Sequence, residues 1–217
     1  MTKEDFFYAI AISVVIVPSI GWCWGKFIDF ILTGEERKFW KHHSKRNVKV
    51  VLTTREGEDI SSTLKVSLNE VQAFAALKMT LHKLRQDLSL VSELKPTIGE
   101  LNDNPFISIG GPIKNALTNS ILQGLKGEKI VRFDRETKNL HVGGEEYAPE
   151  LNTDKTRKTD FGVIIRLSKK NRRSYDCILA MGCHGFGTEA AAKTITDKEN
   201  LKALNKRHKS GDFIQVV

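Results

Sequence analysis

Residues 176–188 read DCILAMGCHGFGT: an apolar run without charge after Asp176 passes directly into three glycines within six residues. A short continuous apolar run bounded by glycine is the signature of a strand buried on both faces. Glycine is also the residue that lets a chain turn sharply at a strand end. The alanine-rich residues 189–196 (EAAAKTIT) that follow predict a helix. The same order occurs upstream, where residues 106–109 (FISI) run into Gly110-Gly111-Pro112 and a helix is predicted over residues 113–125, with Pro112 at its first position. Two strand–turn–helix units indicate an α/β fold. They also indicate where a ligand belongs, because open α/β sheets bind ligands outside the carboxyl ends of their strands.

Outward from these two units the pattern continues. Residues 48–54 (VKVVLTT) read as a β-branched strand, and Ser67-Leu68-Asn69-Glu70 matches a capping box. The helix it opens is predicted to present Val71, Phe74, Ala75, Leu77, Lys78, Leu81 and Leu84 on one largely apolar face and to end near Gln86. Residues 87–105 are polar and irregular, and residues 129–133 and 140–142 suggest a hairpin insertion. Residues 161–167 (FGVIIRL) and 176–181 (DCILAM) flank a short basic connection carrying Lys169, Lys170, Arg172 and Arg173, which suits an antiparallel pair. A helix over residues 198–206 and a strand over 213–217 close the chain. The sum is a three-layer, Rossmann-like α/β domain with a mixed sheet, expected over residues 47–217.

The N-terminal region carries a different signal. Residues 6–24 (FFYAIAISVVIVPSIGWCW) hold no charge, and nineteen helical residues reach about the ~30 Å of a bilayer core. Residues 1–5 (MTKED) lack the positive start of a secretory signal, and no A-x-A cleavage pattern follows. Lys26, Arg37, Lys38, Lys41, Lys45 and Arg46 all lie beyond the run, with Trp22 and Trp24 at its edge. These features predict a transmembrane anchor over residues 1–32 and a basic juxtamembrane linker over 33–46. They predict a single-pass inner-membrane protein with its N-terminus outside and its C-terminal domain cytoplasmic, in contact with membrane lipid.

The chain of 217 residues has 34 Lys and Arg against 26 Asp and Glu, a net charge of +8. The excess is spread along the sequence, so it does not indicate DNA or RNA but is compatible with an anionic small molecule. Cys23, Cys177 and Cys183 make neither a disulfide framework nor a zinc spacing. No metal and no resident cofactor is expected.

Gly110 and Gly111 let backbone N–H groups approach a ligand, and Asn115 and Thr118, one helical turn apart, offer hydrogen bonds to a phosphate or sugar hydroxyl. Gly182, Gly185 and Gly187 with Thr188 present further donors at a second helix start. Together they predict an anion cradle. Neither turn has the Gly-Lys-Ser/Thr of a P-loop or the G-x-G-x-x-G of dinucleotide enzymes in its place after the first strand. His184 is the side chain best placed to face a ligand, with Glu189 and Asp160 as further acid/base candidates; Cys183 and Glu146 complete the reactive groups weighed.

The layout of anchor, basic linker and a domain with glycine turns at Gly110-Gly111-Pro112 and at residues 182–188 resembles membrane-tethered nucleotide sensors of bacterial defence and signalling, of the CARF or SLOG kind. The resemblance implies a homo-oligomer whose cytosolic domain binds a nucleotide-like ligand and signals to the membrane helix. Two alternatives stand beside it: a tethered nucleotide hydrolase or glycohydrolase using His184, Glu189 or Asp160, and a structural or partner-binding membrane protein whose glycine turns are only turns.

Overall fold

The computed structural model describes residues 34–41, 47–53, 66–91, 97–101, 104–125, 131–152, 157–169, 175–208 and 212–217. In chain order the elements are α1 (Gly34–Trp40), β1 (Val48–Leu52), α2 (Leu68–Lys83), β2 (Leu88–Leu90), α3 (Ile98–Leu101), β3 (Phe106–Ile109) and α4 (Ala116–Gly124). The short strands β4 (Val131–Phe133), β5 (Leu140–Val142), β6 (Glu145–Tyr147), β7 (Glu150–Leu151) and β8 (Arg157–Thr159) follow. The chain ends with β9 (Gly162–Leu167), β10 (Cys177–Gly182), α5 (Gly185–Thr194), α6 (Lys198–Arg207) and β11 (Phe213–Val216).

Six strands form one sheet in the order β11-β9-β10-β3-β1-β2. β2, β1, β3 and β10 are mutually parallel, and β9 runs antiparallel to both β10 and β11, pairing Cys177 with Leu167 and Phe213 with Arg166. The alternation of side chains divides the strands between two cores. Val48, Val50, Leu52, Ile107, Ile109, Ile164, Ile178 and Ala180 point to the face covered by α1, α2, α5 and α6. Val51, Phe106, Val163, Ile165, Cys177, Leu179 and Met181 point to the face covered by α3, α4 and the β4–β5 hairpin. The expected three-layer α/β arrangement with a mixed sheet is therefore present.

The two crossovers on the first face differ in hand. β1 reaches β2 through α2 in one direction, while β10 reaches the parallel strand β11 through α5 and α6 in the other, over the same face. That reversal lays α5 against α2, where Asn69 Nδ2 donates to Glu189 Oε2 at 2.9 Å.

Three local readings change. The strand β2 and the short helix α3 occupy residues expected to be irregular, because Leu88–Leu90 gains its hydrogen bonds from the parallel neighbour β1 rather than from any local signal. On α2 the buried line is Glu70, Ala73, Leu77, Thr80 and Leu81, while Val71 is exposed; contact with α5 rotates the helix relative to its apolar pattern. The hairpin continues into a third strand, β6.

The transmembrane helix expected over residues 1–32 lies outside the described residues. Among the described residues no helix is long and apolar enough to cross a membrane, which corrects the expectation of a membrane-spanning element and of a single-pass inner-membrane placement. The physical reason is length and polarity: α2, the longest described helix, has 16 residues, about 24 Å, and carries Glu70, Lys78, His82 and Lys83. Within the segment expected as a linker, α1 folds onto the domain and buries Phe39 and Trp40 completely.

Candidate functional site

β1, β3 and β10 are neighbours and parallel, so Leu52, Ile109 and Gly182 end at one edge of the sheet. The chain leaves β1 toward β2 on one side and places β3 on the other, which makes this edge a topological switch point. A cavity of about 380 Å³ lies there. Thr53 lines it from the end of β1, and Ser67, Asn69 and Glu70 from the first turn of α2. Gly111, Ile113 and Lys114 come from the turn after β3, Phe133 and Lys138 from the β4–β5 hairpin, and Gly182, Cys183, His184, Gly185 and Thr188 from the turn after β10. A larger groove, about 570 Å³, runs between β6 and β11 at the sheet edge, but among the described residues no Lys or Arg lines it.

The first turn is shaped by Gly110, whose φ of +115° suits glycine alone. A Cβ there would stand 2.0 Å from Thr53 Oγ1 and 2.8 Å from Glu70 Oε1, so this glycine lets the ends of β1, α2 and β3 meet. Pro112, Ile113 and Lys114 form a turn, and the helix starts only at Ala116, with Asn115 as its N-cap. Asn115 Oδ1 accepts the Thr118 N–H at 3.0 Å, while its Nδ2 donates to Ser108 Oγ at 3.0 Å and to the Ile109 carbonyl at 3.1 Å. Thr118 Oγ1 shares a hydrogen bond with Ser108 Oγ at 2.9 Å, and both residues are buried. Asn115 and Thr118 therefore hold the turn from inside; Gly111 is the residue of this turn that lines the cavity with its backbone.

The second turn is held by Asp160. Its Oδ1 accepts from the Phe161 N–H at 3.0 Å and the His184 N–H at 3.2 Å, and its Oδ2 from the Gly187 N–H at 2.7 Å. A carboxylate of the protein itself thus takes the place at the α5 N-terminus that an anion would favour. The N–H groups of Gly185 and Phe186 belong to the same first turn, where helix geometry supplies no internal acceptor. Gly182 and Gly187 permit close packing of backbone on backbone: added Cβ atoms would stand 2.3 Å from the Thr188 nitrogen and 2.1 Å from the Phe161 oxygen. Gly162, not singled out in the sequence, meets the Gly187 carbonyl in the same contact, at 2.2 Å from a Cβ.

The reactive groups divide clearly. Glu189 pairs with Lys193 and accepts from Asn69, and the Lys193 bond first, then that from Asn69, holds its carboxyl below the usual range. Burial, with the Asp160 charge second, pushes the Cys183 thiol up to about 11, and its sulfur meets the Tyr147 carbonyl at 3.8 Å. Glu146 lies on the exposed hairpin, accepting from Asn139 at 2.6 Å. His184 lines the cavity and is half-buried. Thr188 does so too, its Oγ1 donating to the His184 carbonyl at 3.1 Å.

Sequence reasoning missed Thr53, Asn69, Glu70, Lys114, Phe133 and Lys138. The capping box at residues 67–70 located the α2 N-terminus, and the rule that places sites at strand ends would have brought it to the same edge. Lys138 carried no signal; it arrives by the folding of the hairpin over the sheet. Among the described residues no group of His, Cys, Asp and Glu is arranged to hold a metal ion. Comparison with protein-family models, with curated proteins and with solved structures finds no match for this chain.

Proposed function

We propose that the domain is a binding module for a nucleotide-like, phosphorylated small molecule held at the carboxyl ends of β1, β3 and β10. The observation that carries this reading is the cavity at the switch point, to which the Gly111 backbone, the first turns of α2 and α5, and the cations Lys114 and Lys138 all contribute. Among the described residues Glu70 is the only carboxylate in its lining. Binding is favoured over turnover because Asp160 and Glu189 are committed to internal hydrogen bonds and the Cys183 thiol is held protonated.

A thermal-shift screen of the full chain against mononucleotides and dinucleotides, with analysis of the recovered ligand, tests the proposal. A ligand at 100 times its dissociation constant stabilises by about 2.7 kcal/mol, a shift easily measured. The expected result is a shift with the ligand recovered intact, reduced by Lys114→Ala and by Lys138→Ala. No shift across the panel would overturn the reading, and recovery of a converted ligand would replace binding with catalysis.

A further inference from the structure

We propose that this cavity is one half of a longer site, and that the ligand is a two-part phosphorylated molecule of dinucleotide size whose second half lies between α4 and the β4–β5 hairpin. The inference rests on the reading of the first cavity given above and extends it. The second cleft has a volume of about 330 Å³. Leu122 and Leu125 wall it on the helix side and Val131 and Phe133 on the hairpin side, and the exposed Arg132 and Arg135 add two guanidinium groups. Among the described residues no carboxylate lines it.

Ile113 and Phe133 line both spaces, so the two adjoin across these side chains. Apolar walls beside guanidinium groups suit a planar ring with a phosphate, since arginine both stacks on rings and grips phosphate oxygens in pairs. Small-molecule sites span about 300–1,000 Å³, and each space alone sits near the lower limit. The charges make the stronger argument. Lysines line the first cavity and arginines the second, so a molecule with two anionic groups can meet both pairs.

One turn supplies cations to both. Residues 134–139 connect β4 to β5, with Arg135 facing the second cleft and Lys138 the first. Asp134 Oδ1 fixes this turn by accepting the N–H groups of Glu136 at 2.8 Å and Thr137 at 3.0 Å, and Lys138 Nζ donates to the Arg135 carbonyl. The backbone spacing between Arg135 and Lys138 is therefore built into the turn before any ligand arrives.

Calorimetric titration of the full chain with adenylate, guanylate and the dinucleotides made by joining two of them through phosphate tests the inference. The best dinucleotide should bind about tenfold or more tightly than its mononucleotide, and the double variant Arg132→Ala/Arg135→Ala should abolish that advantage while leaving mononucleotide affinity within about twofold. Leu122→Trp, which fills the cleft, should act in the same way, and melting curves establish that each variant is folded. Equal affinity for the two ligand sizes, or an equal loss for both in the double variant, overturns the two-part site and leaves the first cavity standing. Failure of wild type to bind either ligand overturns both readings.

Discussion

At the scale of single residues, the glycines of the second turn owe their identity to backbone packing. Gly187→Ala would drive a Cβ to 2.1 Å from the Phe161 oxygen, with no flexible side chain to give way. It should destabilise the domain by about 3 kcal/mol in urea unfolding, at the upper end of the usual cost of overpacking. Gly124, exposed in the last turn of α4 with nothing within 4 Å of an added Cβ, is the control: Gly124→Ala should stabilise by about 0.5–1 kcal/mol. Cys183 gives a pH test. Its thiol is raised from 9.0 to about 11, so the unfolded chain ionises first and stability present below pH 9.0 is lost as pH rises toward 11. Iodoacetamide at pH 8 should leave the Cys183 peptide unmodified in folded protein, by mass spectrometry, and labelling should set in only on that alkaline limb. Modification at pH 8 would show that the residue is not held as described.

At the scale of elements, Asn115 decides where α4 begins. It caps the helix and ties β3 to it through Ser108 and the Ile109 carbonyl, all at buried positions. Asn115→Ala should cost about 2–3 kcal/mol, the loss of a cap together with a buried acceptor left short of a partner. Asn115→Asp retains the capping oxygen but places a carboxylate against the Ile109 carbonyl, so it should not restore stability; equal stability of Asp and Asn would show that the cap alone matters. Glycine turns, apolar strands and the capping box at Ser67 were legible because each is a local signal whose cause lies within a few residues. Pro112 misled for the same reason. Its fixed φ suits a helix start, but the buried polar cluster around Asn115, which depends on Ser108 of β3, sets the start at Ala116 instead. The burial line of α2 was likewise rotated by α5, a neighbour more than a hundred residues away in sequence.

At the scale of the whole molecule, α1 is a structural member of the domain. Phe39 lies 5.1 Å from Trp40 and 6.2 Å from Phe213 between ring centroids, with the buried Arg166 guanidinium 5.1 Å from the Phe39 ring. Trp40→Ala should therefore cost about 3–5 kcal/mol, the range for truncating a large buried aromatic, seen as a lowered Tm in calorimetry. An unchanged Tm would show that α1 packs only loosely on the sheet. The opposite hands of the two crossovers matter at this scale as well, since they seat α5 beside α2, while the parallel run of β1 and β10 brings both helix starts to one edge.

The sequence by itself determined the α/β class, the glycine turns, the antiparallel β9–β10 pair and the strand ends that border the cavity. All of these follow from periodicity and local backbone chemistry. Only the tertiary structure decided which groups reach that edge. It turned Asn115, Thr118, Asp160 and Glu189 inward as internal partners and brought Lys114, Lys138, Asn69 and Glu70 to the cavity. A side chain's direction depends on what packs against its element, and those neighbours lie far away along the chain.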